Sequence, residues 1–154
     1  MKPDTKHPLG GEYVTFRVQD LLCGLNIVEV QEIKRIQTIT PVHRAPPHVR
    51  GVVNMRGRIV TVIDIRRTLG FEPLDHSPAL VIIIHRGGDL LGLLVDDVDD
   101  IVHADAGHLT EPPPNLSAAE RDLFCGVLKL EDTLVAILDS HRIARRRDMP
   151  TSLT

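Results

Sequence analysis

Residues 51–65, GVVNMRGRIVTVIDI, align without a gap on residues 126–140, GVLKLEDTLVAILDS. Gly51/Gly126, Val52/Val127, Val60/Val135 and Asp64/Asp139 are identical pairs, and five further positions match aliphatic to aliphatic. Two unrelated strands would share an apolar alternation, but hardly a glycine and an aspartate in the same register. Upstream, CGLNIVEVQEI (23–33) matches LGLLVDDVDDI (91–101) through Gly24/Gly92, Val30/Val98 and Ile33/Ile101. The offset changes from 75 to 68 residues, and the difference falls in the loop holding EPPPN, where an insertion is tolerated. The chain reads as two copies of a β unit of about 65 residues, each about five short strands, which predicts a small barrel per copy. Neither copy alone buries much surface, so the two should pack together and leave a groove at the seam.

The expected fold class is all-β, two packed five-stranded barrels with short helices. A single domain spans 12–143, with the first barrel at about 12–70, the second at about 79–143, room for some strand exchange between them, and flexible tails at 1–11 and 144–154. YVTFRV (13–18) and CGLNI (23–27) alternate apolar and other residues as an antiparallel pair. ALVIII (79–84), RGGD and LLGLLV (90–95) read as a second hairpin. SAAE (117–120) carries the Ser and Glu of a capping box, and DSHRIARRR (139–147) an Asp N-cap with cations toward its end. TPVHRAPPH and EPPPN are loops.

Composition narrows the function. The chain has 154 residues, enough for a core without disulfides or metals. Aromatics are only 3%, with no Trp, so a base-stacking platform is largely excluded. A formal charge of -3 argues against sequence-independent nucleic-acid binding. MKPDTKHPLGGEY lacks the apolar stretch of a signal peptide, and no run approaches the roughly 20 apolar residues of a membrane span. A cytoplasmic protein without membrane insertion is expected. Cys23 and Cys125 lie in separate apolar strands without CxxC spacing, and read as reduced and buried.

Catalytic motifs are missing. There is no GxxxxGK[ST] phosphate cradle and no GxSxG elbow, and GGDLLG lacks the Lys of a nucleotide site. His43/His48 and His103/His108 are spaced i, i+5, which aligns two imidazoles on neither a helix face nor a strand face, so neither a metal nor another cofactor is expected. DDVDD (96–100) lacks the glycine turn and ligand spacing of a calcium loop and reads as a solvated or partner-facing acidic edge. A metal-dependent enzyme using the histidines is the weaker alternative. Arg56 poses a different question. Arg56-Gly57 makes a reasonable hairpin turn because glycine takes the positive φ required, but the arginine side chain must leave the turn and find water, a carboxylate or a partner.

VQEI (30–33), VRGVVNMRGRIV (49–60), VIDIR (62–66), GLLVDDV (92–98) and LVAILD (134–139) resemble the CheW family of bacterial chemotaxis adaptors, from about Glu12 to Ile143. The most specific element is Asn54-Met55-Arg56-Gly57 followed by Asp64-Ile65-Arg66. The chain departs from the family pattern at Thr61, often Pro, at Cys23, commonly aromatic, and at Met55, usually Leu. The resemblance implies two SH3-like five-stranded barrels and a non-catalytic scaffold, recruited to membrane-bound receptor arrays. It would couple the cytoplasmic tips of chemoreceptors to the regulatory domain of the histidine kinase CheA. It places Arg56 at the receptor-facing surface, with Glu32 as charge partner and Val28, Val30 and Ile33 lining a groove. On that edge Arg56 is expected to be the sole cation. Kinase contacts are expected at Arg50 and Gly51, and at Pro112, Pro113 and Pro114 of the loop TEPPPN. Three alternatives stay open: an adaptor of a non-flagellar chemosensory pathway, a fragment of a larger signalling protein, and an Arg56 that merely pairs with Glu32 to hold its hairpin. A chain that starts at Met1 and ends about ten residues past the repeat argues against the fragment.

Overall fold

The apolar runs pair as hairpins: β1 (Gly11–Val18) with β2 (Leu21–Asn26), β4 (Val49–Met55) with β5 (Arg58–Asp64), β6 (Ala79–Arg86) with β7 (Asp89–Val95), and β10 (Phe124–Leu130) with β11 (Thr133–Leu138). Between them lie β3 (Val30–Ile36), β8 (Asp97–Ala104), the two-residue β9 (Leu109–Thr110) and a 3-10 turn at Ile27–Glu29. Among the described residues there are three short helices, α1 (Ile65–Thr68), α2 (Ala118–Arg121) and α3 (Ser140–Arg146). This computed structural model describes residues 11–73, 78–86, 88–105, 109–110 and 117–146.

The strands form two sheets. Sheet A has the order β8-β1-β2-β11-β10-β9, and sheet B the order β3-β6-β7-β5-β4. Without the minimal β9, the two are one arrangement repeated: β1, β2, β8, β10 and β11 stand in sheet A where β6, β7, β3, β4 and β5 stand in sheet B. The all-β class with two packed barrels holds, but the barrels are not the contiguous halves 12–70 and 79–143. Each repeat sends its first hairpin into the other repeat's sheet, where it pairs in parallel: β2 with β11, and β7 with β5. Equivalent sequences present equivalent strand edges, so the pattern that reveals the repeat does not specify whose hairpin pairs with whom. Gly11 opens β1 and α3 runs to Arg146, within a few residues of the expected bounds 12 and 143.

The repeated residues do repeated work. Gly24 lies opposite Ile137 in one parallel pair and Gly92 opposite Val62 in the other. A Cβ on Gly24 would stand 2.9 Å from Ile137 Cδ1, and one on Gly92 2.9 Å from Val81 Cγ1, so neither site accepts a side chain without a shift. Gly51 and Gly126 both sit at β-bulges, and a Cβ on Gly51 would overlap the Thr40 carbonyl. Asp64 Oδ1 accepts the N–H groups of Arg66 and Arg67 at the start of α1, as Asp139 Oδ1 does for His141 and Arg142 at the start of α3. Four-residue α1 leaves no mark in the alternation. The repeated aspartate is the signal that marks it, because an N-cap carboxylate satisfies amides no strand would leave unpaired.

Three apolar clusters hold the fold. Val53, Met55, Val60, Val62, Val81 and Ile83 are among those filling barrel B, and Tyr13, Leu128, Val135 and Ile137 fill barrel A. The largest cluster lies between the sheets and takes Phe16 and Leu25 from sheet A, and Ile63, Ile82, Ile84 and Leu93 from sheet B. In β6, Leu80, Ile82 and Ile84 face the shared core while Ala79, Val81 and Ile83 face the barrel interior. A strand covered on both faces has no polar side, which is why ALVIII reads as an unbroken apolar run.

Candidate partner-binding site

Met55 pairs with Arg58, leaving Arg56 and Gly57 as a two-residue turn with φ of 55° and 84°. Positive φ at both positions matches the right-handed twist of the flanking strands. Asn54 Oδ1 accepts the Gly57 N–H at 3.0 Å and holds the turn closed. A left-handed backbone costs a non-glycine residue about 1 kcal/mol or more. Here it points Arg56 toward the far edge of the same sheet, where Nη1 donates to Glu32 Oε1 at 3.0 Å. β3 and β4 are the two ends of sheet B, so the pair ties the β4–β5 turn to the opposite edge strand.

A β-bulge aims Glu32. Val30 pairs with Ile84 and Glu32 with Ile83, so Gln31 is an extra residue and the two side chains fall on different faces of β3. Glu32 shares the face of Ile83 and reaches Arg56. Val30 shares the face of Ile84, is partly buried and packs against the shared core, so it supports the surface instead of lining it. Ile33, opposite Ile82, lies on that same face and is exposed at the strand edge. Val28, in the 3-10 turn just before β3, is 65% exposed. β3 thus presents Glu32, the partner of Arg56, on one face and exposed Ile33 on the other, with exposed Val28 just before it.

Two electrostatic expectations need correction. Arg56 is not the only cation on its edge, since Lys34 Nζ lies 3.9 Å from Glu32 Oε2 on the same strand. Side-chain exposures of 74% for Arg56 and 22% for Glu32 leave their pair largely in water, worth at most about 1 kcal/mol to folding. The acidic run is not uniformly solvated either. Asp97, Asp99 and Asp100 are exposed, but Asp96 is held by Arg66 at 2.6 Å. That partner is thirty residues away in the chain, so no local pattern reveals it.

Of the residues expected at the kinase contact, Arg50 donates from Nη2 to the buried Asp64 Oδ2 at 2.9 Å. Its guanidinium therefore supports the α1 cap. Gly51 is pressed against Thr40 at the bulge. Pro112, Pro113 and Pro114 lie outside the described residues. The sequence reading missed the exposed Ile59 and Leu134, which occupy equivalent places at the starts of β5 and β11, and Ile101, the repeat partner of Ile33. Their signal was present: Ile59 alternates with Val60 and Val62, so it must point away from the barrel interior.

Burial raises both thiols, Cys125 to about 12 and Cys23 further, so neither is a nucleophile near neutrality. Among the described residues no three His, Cys, Asp or Glu side chains group to hold a metal, and no helix is long and apolar enough to cross a membrane. His108 lies outside them.

The sequence model of the CheW-like domain matches residues 12–148. The chain is 33% identical to the chemotaxis protein CheW of Rhizobium meliloti over 131 residues, 84% of each protein. It is 25% identical to the chemotaxis protein CheW of Klebsiella aerogenes, over 92% of this chain and 86% of that one. The crystal structure of the scaffolding protein TtCheW from Thermoanaerobacter tengcongensis is similar at a TM-score of 0.75 and 28% identity, over 84% of this chain and 89% of that one. With this match, and with the repeat and the NMRG turn in place, the chain belongs to the CheW-like domain family.

Proposed function

We propose that this chain is a non-catalytic chemotaxis adaptor that couples the cytoplasmic tips of chemoreceptors to the regulatory domain of the histidine kinase CheA, and is recruited to receptor arrays by those contacts. One observation carries the receptor contact: a turn with positive φ presents Arg56, 74% exposed, and pairs it with Glu32 of β3, the strand that also carries exposed Ile33 and follows exposed Val28. Apolar side chains supply most of the free energy of gripping an amphipathic helix tip, while a rim charge pair fixes register and rejects wrong partners. Glu32 and Lys34 complete that rim. The kinase contact is assigned to strand-edge surface and to the loop of Pro112 to Pro114, whose prolines lower the entropy lost on docking.

Arg56→Ala and Arg56→Glu test the assignment. Both should melt within a few degrees of the parent, because a loop-tip charge changes stability by about 0.5 kcal/mol or less. Receptor-dependent kinase activation should fall in both, and further in Arg56→Glu, which sets like charge against Glu32. A protein that melts early yet still activates the kinase when folded would make Arg56 a bracket for its hairpin.

A further inference from the structure

The chain crosses between the sheets twice. It passes from β2 in sheet A through the 3-10 turn to β3 in sheet B, and returns from β7 in sheet B through Asp96 to β8 in sheet A. The return crossing is pinned. Arg66 donates from Nε to Asp96 Oδ1 at 2.8 Å and from Nη2 to Oδ2 at 2.6 Å. Its Nη1 donates to Gln19 Oε1 at 3.1 Å and to the Glu72 carbonyl at 3.0 Å. The Gln19 N–H donates to Asp96 Oδ2 at 2.7 Å, and the Asp96 N–H to the Arg17 carbonyl at 3.0 Å. Arg66 stands on α1, directly after β5 of sheet B, whereas Arg17 and Gln19 belong to β1 and its turn in sheet A. The Arg66 and Asp96 side chains are only 14% and 17% exposed, and the Asp96 carboxylate raises the Arg66 pKa further.

The other crossing has no such fork. At the repeat offsets, Val28 replaces Asp96 and His141 replaces Arg66. An aliphatic and an imidazole cannot form the bidentate contact of a guanidinium with a carboxylate. The large core between the sheets does not substitute for it, because aliphatic contact is non-directional and a packed interface can hold more than one discrete arrangement. The bidentate fork at the return crossing favours one of them.

We propose that the Arg66–Asp96 clamp is the positioning element of the adaptor, holding sheets A and B in one mutual orientation so that a partner bound on one barrel is registered to a partner bound on the other. This rests on the adaptor function above. Arg66 and Asp96 touch neither partner and act through the orientation they impose.

The test uses Asp96→Asn, Arg66→Lys and the milder Gln19→Ala, which removes one bond and serves if either of the others fails to fold. Nitroxides at Arg35→Cys in β3 and Thr133→Cys in β11, in a Cys125→Ser background with Cys23 buried, report the distance between the sheets by pulsed electron resonance. The parent should give one narrow distribution, and the variants a broadened or shifted one. Receptor-stimulated kinase activity should fall about tenfold while binding to receptor tip and kinase regulatory domain, each measured alone, stays within about threefold. An unchanged distance distribution, or a loss of activity that merely tracks weaker binding of either partner, overturns the clamp. If the parent binds neither partner, the adaptor reading falls instead, and the distances still decide whether the clamp sets the orientation.

Discussion

The two barrels share a backbone plan and differ at their tips. In barrel B the β4–β5 turn carries Arg56 and reaches Glu32 on the opposite edge strand. In barrel A the equivalent turn residue is Glu131, also left-handed at a φ of 50°, and the residue equivalent to Glu32 is Asp100. One barrel closes its edges with a charge pair, and the other sets acid against acid at the same two places. The residues that touch backbone do not diverge this way: both glycine pairs and both capping aspartates keep their roles. Backbone geometry constrains residues that touch backbone, while tip side chains facing water are free to specialise.

Removing the two caps separates the repeats most strongly. Asp64→Ala should cost about 3 kcal/mol, because it uncaps α1 and also leaves Arg50 beside a buried gap. Asp139→Ala should cost about half as much, since the ion pair it makes with the more exposed Arg142 is longer, at 3.5 Å. Equal losses in urea unfolding would mean that Arg50 adds nothing to the first cap.

Alkali should act through barrel A, which holds both thiols on β2 and β10. A thiol whose folded pKa is raised favours the folded state below the unfolded value near 9. That stability drains away as pH rises through the folded value, about 12 for Cys125. The melting temperature of the parent should therefore fall from about pH 9 upward, and that of Cys23→Ala/Cys125→Ser should fall less. Parallel curves would remove the thiols as the cause.

Ser140 is the repeat counterpart of Ile65, which packs in the shared core, but its hydroxyl is buried without a hydrogen-bond partner. Ser140→Ala should raise stability by about 1 kcal/mol. A loss would show that the hydroxyl is satisfied in solution.

The smallest change sharpens the opening contrast. Glu131→Arg places a cation opposite Asp100 and should shift stability by less than about 0.5 kcal/mol. It should not create a second receptor site, because the position equivalent to Val28 is Asp96, already engaged by Arg66. Receptor binding at doubled stoichiometry would show that the charge alone makes the site.

Local pattern was enough for the hairpins, the repeat, the Arg56-Gly57 turn and the Asp139 cap, because alternation, glycine and capping residues act within a few positions. The repeat also pointed to two barrels, since one β unit cannot bury its own apolar face. Three things belong to the tertiary structure alone. Exchange of the first hairpins depends on which of two equivalent edges a strand meets. The inward turn of Val30 depends on a bulge that re-aims every side chain after it. The capture of Asp96 by Arg66 depends on two segments meeting across the seam. Each is settled by a partner distant in sequence, and the energy that selects it exists only once the sheets have packed.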